Sequence, residues 1–257
     1  VNAVTFADES QVVGGYANSE IRRWNIEDGR QQGSTMKANG AINCILVSQD
    51  GQWMVSGDRG KKVIVWNAVT HEQVREFTEN VADITGIDIS SDCTKFVSAD
   101  LKNVKLFSIT SGERLHAPLP HDRVASVKFS PDSSRLATAS ESYGFRVYST
   151  HDGNILFDSG RNGSTGSWSR TPSNGRFIAC AAGSSVSLWD CVSHKQIKSL
   201  ITHTSQVTCV ALSPSGRYLA CGHGRNITIH NLRNVLPPEY FNGGVRVHSL
   251  IELELYR

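Results

Sequence analysis

Short segments in which polar and apolar residues alternate recur along the whole chain, and each ends on a ring-bearing side chain. One of them is Ser185-Val186-Ser187-Leu188-Trp189-Asp190. Alternation with a period of two predicts a half-buried β-strand. Successive rings are 42, 41, 41, 41 and 41 residues apart, at Trp24, Trp66, Phe107, Tyr148, Trp189 and His230. This spacing predicts a repeat protein with one structural unit for each ring.

The segments between the rings follow the same order in most copies. An apolar triplet comes first, as at Ile42–Val47, and a turn such as Ser130-Pro131-Asp132-Ser133 follows it. A second short strand, for example Arg135-Leu136-Ala137, then precedes the ring strand, and a more polar segment such as Gln73–Phe77 completes the unit. Proline, serine and aspartate suit the turn because they preset φ or bond to nearby backbone groups. The pattern predicts an all-β fold with four short strands per repeat.

A four-stranded antiparallel sheet cannot bury both faces alone, but radial stacking of such sheets buries them. The sequence therefore predicts a β-propeller of four-stranded antiparallel blades with six visible repeats, as a single domain over residues 1–257. The expected repeats are about 1–40, 41–82, 83–123, 124–162, 163–205 and 206–257. The pattern breaks at Val235–Pro238 and resumes over Val245–Leu255, which could supply the outer strand of the sixth blade or begin a further region.

The Trp189-Asp190 pair, the Trp-Asn pairs at 24–25 and 66–67, and the Ser-Pro turns resemble the WD-repeat β-propeller family, in a divergent form. The resemblance covers about residues 1–232. Rings in that family more often close with seven blades, so one blade would lie outside this chain. The chain begins at Val1 inside a repeat, and we interpret it as a fragment of a longer protein.

The resemblance also implies a hydrogen-bonded set within each blade, made by a histidine, a hydroxyl, a loop aspartate and the tryptophan. No repeat carries all four. The residues expected to have these structural roles are Trp24, Trp66, Phe107, Tyr148, Trp189, Asp190, His121, His203, Thr138 and Ser56. We therefore expect apolar packing to hold the blades, with loss of the Thr138 hydroxyl costing less than about 3 kcal/mol.

Composition and charge disfavour several classes of partner. The net charge of +2, from 26 basic and 24 acidic residues, provides no strong field for nucleic acid or an anionic membrane. No apolar run approaches the roughly 20 residues that span a bilayer, and no signal segment opens the chain. The six cysteines form no Cys-x-x-Cys pair, which favours reduced thiols in an intracellular protein, cytoplasmic or nuclear.

One group of residues has metal-binding chemistry. It lies in the sixth repeat and consists of His203, Cys209, Cys221, His223 and His230, whose donors would suit zinc. However, both cysteines fall at core-type strand positions, and His230 takes the place of a ring. We therefore favour a buried thiol pair beside a substituted aromatic residue, and expect no metal and no cofactor.

Function follows from the resemblance, which implies a non-catalytic scaffold or recognition module in a larger multidomain protein or complex. Its partners would be other proteins or peptides. The expected contact residues lie in loops that enter first strands or leave second strands: Asp58, Arg59, Asp83, Arg123, Glu141 and Gln206. One alternative is a propeller enzyme with a site at the channel mouth, which the few acids at first-strand positions disfavour. The other is a sensor module that controls an attached nucleotide-driven switch domain.

Overall fold

The computed structural model describes residues 1–140, 143–158, 160, 176–182, 184–190, 193, 195–213 and 215–241. The described residues divide into two compact units, 1–120 (unit 1) and 121–241 (unit 2). Glu141 and the segment Val245–Leu255 lie outside the described residues.

Unit 1 contains three antiparallel sheets of four strands each, in the orders β1-β2-β3-β4, β5-β6-β7-β8 and β12-β11-β10-β9. Sheet A is β1 (Ala3–Asp8), β2 (Gln11–Gly15), β3 (Glu20–Asn25) and β4 (Gln31–Lys37). Sheet B is β5 (Ile42–Val47), β6 (Trp53–Asp58), β7 (Val63–Asn67) and β8 (Gln73–Phe77). Sheet C is β9 (Gly86–Ile89), β10 (Lys95–Ala99), β11 (Asn103–Ser108) and β12 (Leu119–Pro120).

Unit 2 continues the series. Sheet D is β13 (Val124–Phe129), β14 (Arg135–Ser140), β15 (Phe145–Ser149) and β16 (Ile155–Asp158). Sheet E has the described strands β17 (Phe177–Ala182), β18 (Ser185–Asp190) and β19 (Gln196–Thr202). Sheet F has β20 (Val207–Leu212), β21 (Tyr218–His223) and β22 (Asn226–Asn231). The helical segments in the described part are two 3-10 turns, Leu232–Asn234 and Pro238–Tyr240.

A serine and an aspartate build the turn between adjacent strands of a sheet. Ser48 Oγ donates to Asp50 (2.5 Å) and accepts from the backbone N–H of Trp53 (2.9 Å). The same two bonds recur at Ser90 and Ser130. The repeated Ser-x-Asp sequence therefore closes equivalent turns because its side chains satisfy backbone groups that the turn leaves unpaired.

The core of unit 1 lies between consecutive sheets. Ile21 of sheet A shares one buried cluster with Trp66 of sheet B. Phe77 of sheet B shares another with Phe96 and Phe107 of sheet C, where the Phe77 and Phe96 ring centroids are 5.0 Å apart. Sheet B thus buries one face against sheet A and the other against sheet C, which is the packing of propeller blades.

Unit 2 is packed in the same way. Trp189 of sheet E lies edge-on to Phe145 of sheet D, with ring centroids 5.1 Å apart. Leu188 of sheet E shares a buried cluster with Leu219 of sheet F, and Leu232 after the last strand joins it. The 3-10 turns therefore extend the core of this unit beyond the last described strand.

Candidate interaction site

In unit 1, loop residues that precede first strands and follow second strands meet at one edge of the sheets. The backbone N–H of Ile84 donates to the carbonyl oxygen of Asp58 (3.1 Å), which brings the neighbouring Asp83 to this edge. The N–H of Arg59 donates to the carbonyl of Ala41 (2.9 Å). We call the group Ala41, Asn43, Asp58, Arg59 and Asp83 the unit 1 rim.

Asp58 supports the rim from inside. Its side chain is buried, with 1% of the residue exposed. One carboxylate oxygen accepts the backbone N–H of Gly40 (3.1 Å), and the other accepts that of Lys62 (2.9 Å). Asp58 therefore acts as a buried brace, since its carboxylate binds two loops to each other and does not reach the surface.

Arg59 is the exposed charge of the rim. Its Nε donates to Asn43 Oδ1 (3.0 Å), while Asn43 Nδ2 donates to the carbonyl of Ile84 (3.1 Å). Asn2 makes the equivalent bond to the carbonyl of Ile42 (3.1 Å) one sheet earlier. The guanidinium is thus held over a hydrogen-bonded frame, which lowers the entropy lost when it binds a partner.

The remaining expected contact residues lie in unit 2. Arg123 is exposed before β13 and has a left-handed backbone, with φ of 52°. Gln206 is exposed before β20. They precede the first strands of different sheets, so the structure groups only the three residues of unit 1, while Glu141 is outside the described residues.

The ring residues find different hydrogen-bond partners in successive sheets of unit 1. In sheet B, Trp66 Nε1 donates to Ser56 Oγ (2.9 Å), and both residues are buried. In sheet A, Gly14 stands where sheet B has the serine, and Trp24 Nε1 donates instead to the hydroxyl of Tyr16 (3.1 Å). Each tryptophan N–H is therefore satisfied, although the acceptor changes.

Sheet C contains a buried ion pair that the sequence analysis did not find. Lys105 is 3% exposed at its side chain and Asp100 is 0% exposed, with Nζ and Oδ2 separated by 3.1 Å. Lys105 Nζ also donates to Asn80 Oδ1 (3.1 Å), and Ser98 Oγ donates to the same oxygen (3.5 Å). The sequence does contain a signal for Asn80, which is its spacing from the following strand. Asn80 lies four residues before Ile84, just as His203 lies four residues before Val207.

Backbone N–H groups bind Asp100, the acidic member of this pair. Asp100 accepts N–H groups from Val81 (3.0 Å), Lys102 (2.8 Å) and Asn103 (2.9 Å). Burial alone would raise the pKa of Asp100, but these bonds, with that from Lys105, hold the pKa below its usual value. The carboxylate is therefore ionised and satisfied inside the sheet.

Sheet D keeps a histidine and a hydroxyl of the expected set. His121 Nδ1 lies 2.7 Å from Thr138 Oγ1, and both residues are buried. Burial, with a smaller contribution from the positive charge of Arg146, lowers the pKa of His121 to about 4. Burial also raises the pKa of Tyr148, the ring residue here, although hydrogen bonds with Arg146 and Thr138 oppose that change. The imidazole is therefore neutral at pH 7.

Sheet E ends on the Trp-Asp pair. Trp189 Nε1 donates to Ser187 Oγ (2.9 Å) on the same strand. Asp190 accepts the hydroxyl proton of Tyr240 (2.6 Å) and so anchors the last 3-10 turn. Both side chains have structural contacts in this unit.

Sheet F has a different set of polar side chains. Donor atoms of His203, Cys221 and His230 all lie within 4.8 Å of one another. Burial, then the neighbouring histidine charges, lowers the pKa of His203, and the same causes lower that of His230. Burial, with the adjacent Cys209, raises the pKa of Cys221 to about 12. At pH 7 all three side chains are therefore uncharged.

Consecutive antiparallel sheets of equal repeat length, packed face to face within each unit, define an all-β repeat protein built from propeller-type blades. The family model described as "WD domain, G-beta repeat" matches residues 30–67, 112–157 and 194–231. Three segments of the chain therefore match WD40 repeats, which confirms the predicted resemblance and, with the sheets, the predicted fold class. No helix among the described residues has the length and apolar character needed to cross a membrane.

Curated relatives are similar at low to moderate identity. Transcriptional corepressor LEUNIG_HOMOLOG of Arabidopsis thaliana is 24% identical over 84% of this chain and 28% of its own length. Apoptotic protease-activating factor 1 of Homo sapiens is 30% identical over 58% of this chain and 12% of its own length. Serine-threonine kinase receptor-associated protein of Mus musculus is 23% identical over 77% of this chain and 57% of its own. The chain thus spans less than two thirds of each of these relatives.

Proposed function

We propose that the chain is a non-catalytic module that recognises another protein or a peptide, and that it serves as a scaffold within a larger protein or complex. The observation that carries the proposal is the unit 1 rim, where Arg59 is exposed and held by Asn43. Exposed loop residues on a rigid sheet scaffold are typical positions for binding.

The rim has the chemistry of a protein contact. Arginine is enriched in the residues that dominate binding energy, and a fixed guanidinium can form paired bonds to a carboxylate. Asp83, half-buried beside it, adds an acceptor. We therefore assign the contact in unit 1 to Arg59 and Asp83, with Asp58 as the buried brace. In unit 2 we assign Arg123 and Gln206, and we retain Glu141 from the sequence pattern.

The relatives support a proposal on where this module acts and on the protein to which it belongs. The name of the corepressor describes a transcriptional protein, and that of the mouse relative describes an association with a receptor. We propose by analogy an intracellular location, cytoplasmic or nuclear. We also propose that residues 1–257 form one propeller domain of a longer protein, since the relatives extend well beyond the matched part.

The test is capture of partners from the native source with the Arg59→Glu/Arg123→Glu variant. Reversing both charges should lower recovery of specifically bound proteins about tenfold, because a contact of this kind is worth more than about 1 kcal/mol. The matched control is Arg30→Glu, an exposed arginine at the opposite edge of sheet A. Unchanged capture by the double variant, with both proteins folded, would count against this surface.

A further inference from the structure

Strand register shows that three positions are equivalent in sheets B and F. In sheet B, Trp66 pairs with Met54, and Ser56 lies two residues after Met54. In sheet F, His230 pairs with Leu219, and Cys221 lies two residues after Leu219. Cys221 and His230 therefore take the places of the serine and the tryptophan that share a hydrogen bond in sheet B.

The third position precedes the first strand. His121 occupies it in sheet D and bonds to Thr138, which lies two residues after Leu136, the partner of the ring residue Tyr148. His203 occupies this position in sheet F, where its backbone N–H donates to the carbonyl of Ser184 (2.7 Å). Sheet F thus keeps the histidine of the set, while Cys221 replaces the hydroxyl residue and His230 replaces the ring, so all three positions carry nitrogen or sulfur donors.

Two nitrogen atoms of this group in sheet F have no hydrogen-bond partner. The Nε2 atoms of His203 and His230 are both buried without a hydrogen-bond partner. Buried polar atoms without partners are rare in native proteins because their desolvation is not repaid. The Cys221 residue beside them is fully buried, and no disulfide engages it.

We propose that His203, Cys221 and His230 bind a zinc ion. The donor atoms lie within 4.8 Å of one another, whereas tetrahedral zinc with usual bond lengths needs about 3.3–3.6 Å between ligand atoms. Side-chain rotations that close this gap of about 1 Å would complete three of four ligand positions. A solvent molecule takes the fourth, and Cys221 releases its thiol proton to solvent when it binds as a thiolate.

His223 positions this group without joining it. Its ring packs on His203 with centroids 4.4 Å apart, while its Nε2 lies 2.7 Å from Thr228 Oγ1 and its Nδ1 lies 3.3 Å from Ser205 Oγ. Both of its nitrogens are therefore engaged. Bound zinc would join the link after β19 to β21 and β22. In sheet B a hydrogen bond joins only the second and third strands, and in sheet D one joins the preceding link to the second strand.

The test is titration of the chelator-treated full chain with Co²⁺, followed by displacement with Zn²⁺. We expect one Co²⁺ per chain, with absorption bands of a tetrahedral ion and a thiolate-to-cobalt charge-transfer band that zinc abolishes. Cys221→Ala should remove the thiolate band and weaken zinc binding at least about 100-fold, since changes to groups that only support a ligand already cost 10–100-fold. Cys209→Ala is the matched control, because this thiol of the same sheet is outside the donor group, and it should leave the band unchanged.

A second variant separates metal binding from folding. Cys221→Ser/His230→Trp restores the pair found in sheet B, so it should fold and yet bind no cobalt. Absence of the thiolate band in the wild-type chain, or its retention in Cys221→Ala, would overturn the proposal. Loss of the band in Cys209→Ala alone would also overturn the assignment of ligands.

Discussion

The buried pair of Asp100 and Lys105 provides a quantitative test of how the blades are held. Removing one member of a buried ion pair costs about 3–5 kcal/mol because the other charge is left without compensation. The two members of this pair are not equally supported. Asp100 keeps three backbone N–H donors when Lys105 is lost, whereas Lys105 keeps one bond, to the Asn80 oxygen, when Asp100 is lost.

We therefore expect Asp100→Ala to lower the free energy of unfolding by about 3–5 kcal/mol and Lys105→Met by about 1–2 kcal/mol. The double variant should be more stable than Asp100→Ala alone, since the uncompensated ammonium is gone. Urea unfolding followed by tryptophan fluorescence measures the wild type, the two single variants and the double variant, with Glu9→Ala as a control for the loss of an exposed acidic side chain. Equal losses for the two single variants, or a double variant that loses the sum of both, would refute this reasoning.

Three other measurements address sheets D and B. The pKa of His121 is about 4 in the folded chain, whereas its usual value is 6.5. Between pH 4 and pH 6.5 the unfolded chain therefore binds a proton that the folded chain does not bind. Stability should therefore be full above pH 6.5 and fall by about 3 kcal/mol as pH drops towards 4, and His121→Gln should flatten this slope. Thr138→Val should cost about 1–3 kcal/mol in urea unfolding, because it leaves the buried His121 nitrogen without its bond; a neutral result would show that apolar packing alone suffices. Gly57→Ala should lower the free energy of unfolding by about 1–3 kcal/mol, because a Cβ there would lie 2.4 Å from Ile84 and 2.8 Å from Cys44. Gly51→Ala is the control for backbone strain alone, since a Cβ at Gly51 would meet no neighbouring atom.

Periodicity predicted the sheets because it reports burial directly. Trp66 and Tyr148 stand at ring positions that are buried, and the strands around them have the expected order. The same pattern places a polar residue, Lys105, between the apolar Val104 and Leu106. The structure buries β11 on both faces, so alternation could not distinguish a solvated lysine from a paired one.

The rim was harder to predict. A loop aspartate beside a loop arginine looked like two surface charges, yet Asp58 turns inward to accept two backbone N–H groups and Arg59 points out. That difference depends on how the loops before β5 and β7 approach each other, which the sequence pattern does not encode. The cluster in sheet F shows the same limit, because only the strand register places Cys221 and His230 on one face.

Photo-crosslinking of the rim tests the proposed function most directly. A photoreactive lysine analogue placed at Lys61, two residues from Arg59, should crosslink the native partner in the full-length protein. The same analogue at Lys95, at the opposite edge of sheet C, is the matched control and should not. Crosslinks to a partner protein from Lys61 alone are the predicted result. Crosslinks from Lys95 but none from Lys61 would contradict recognition through this rim.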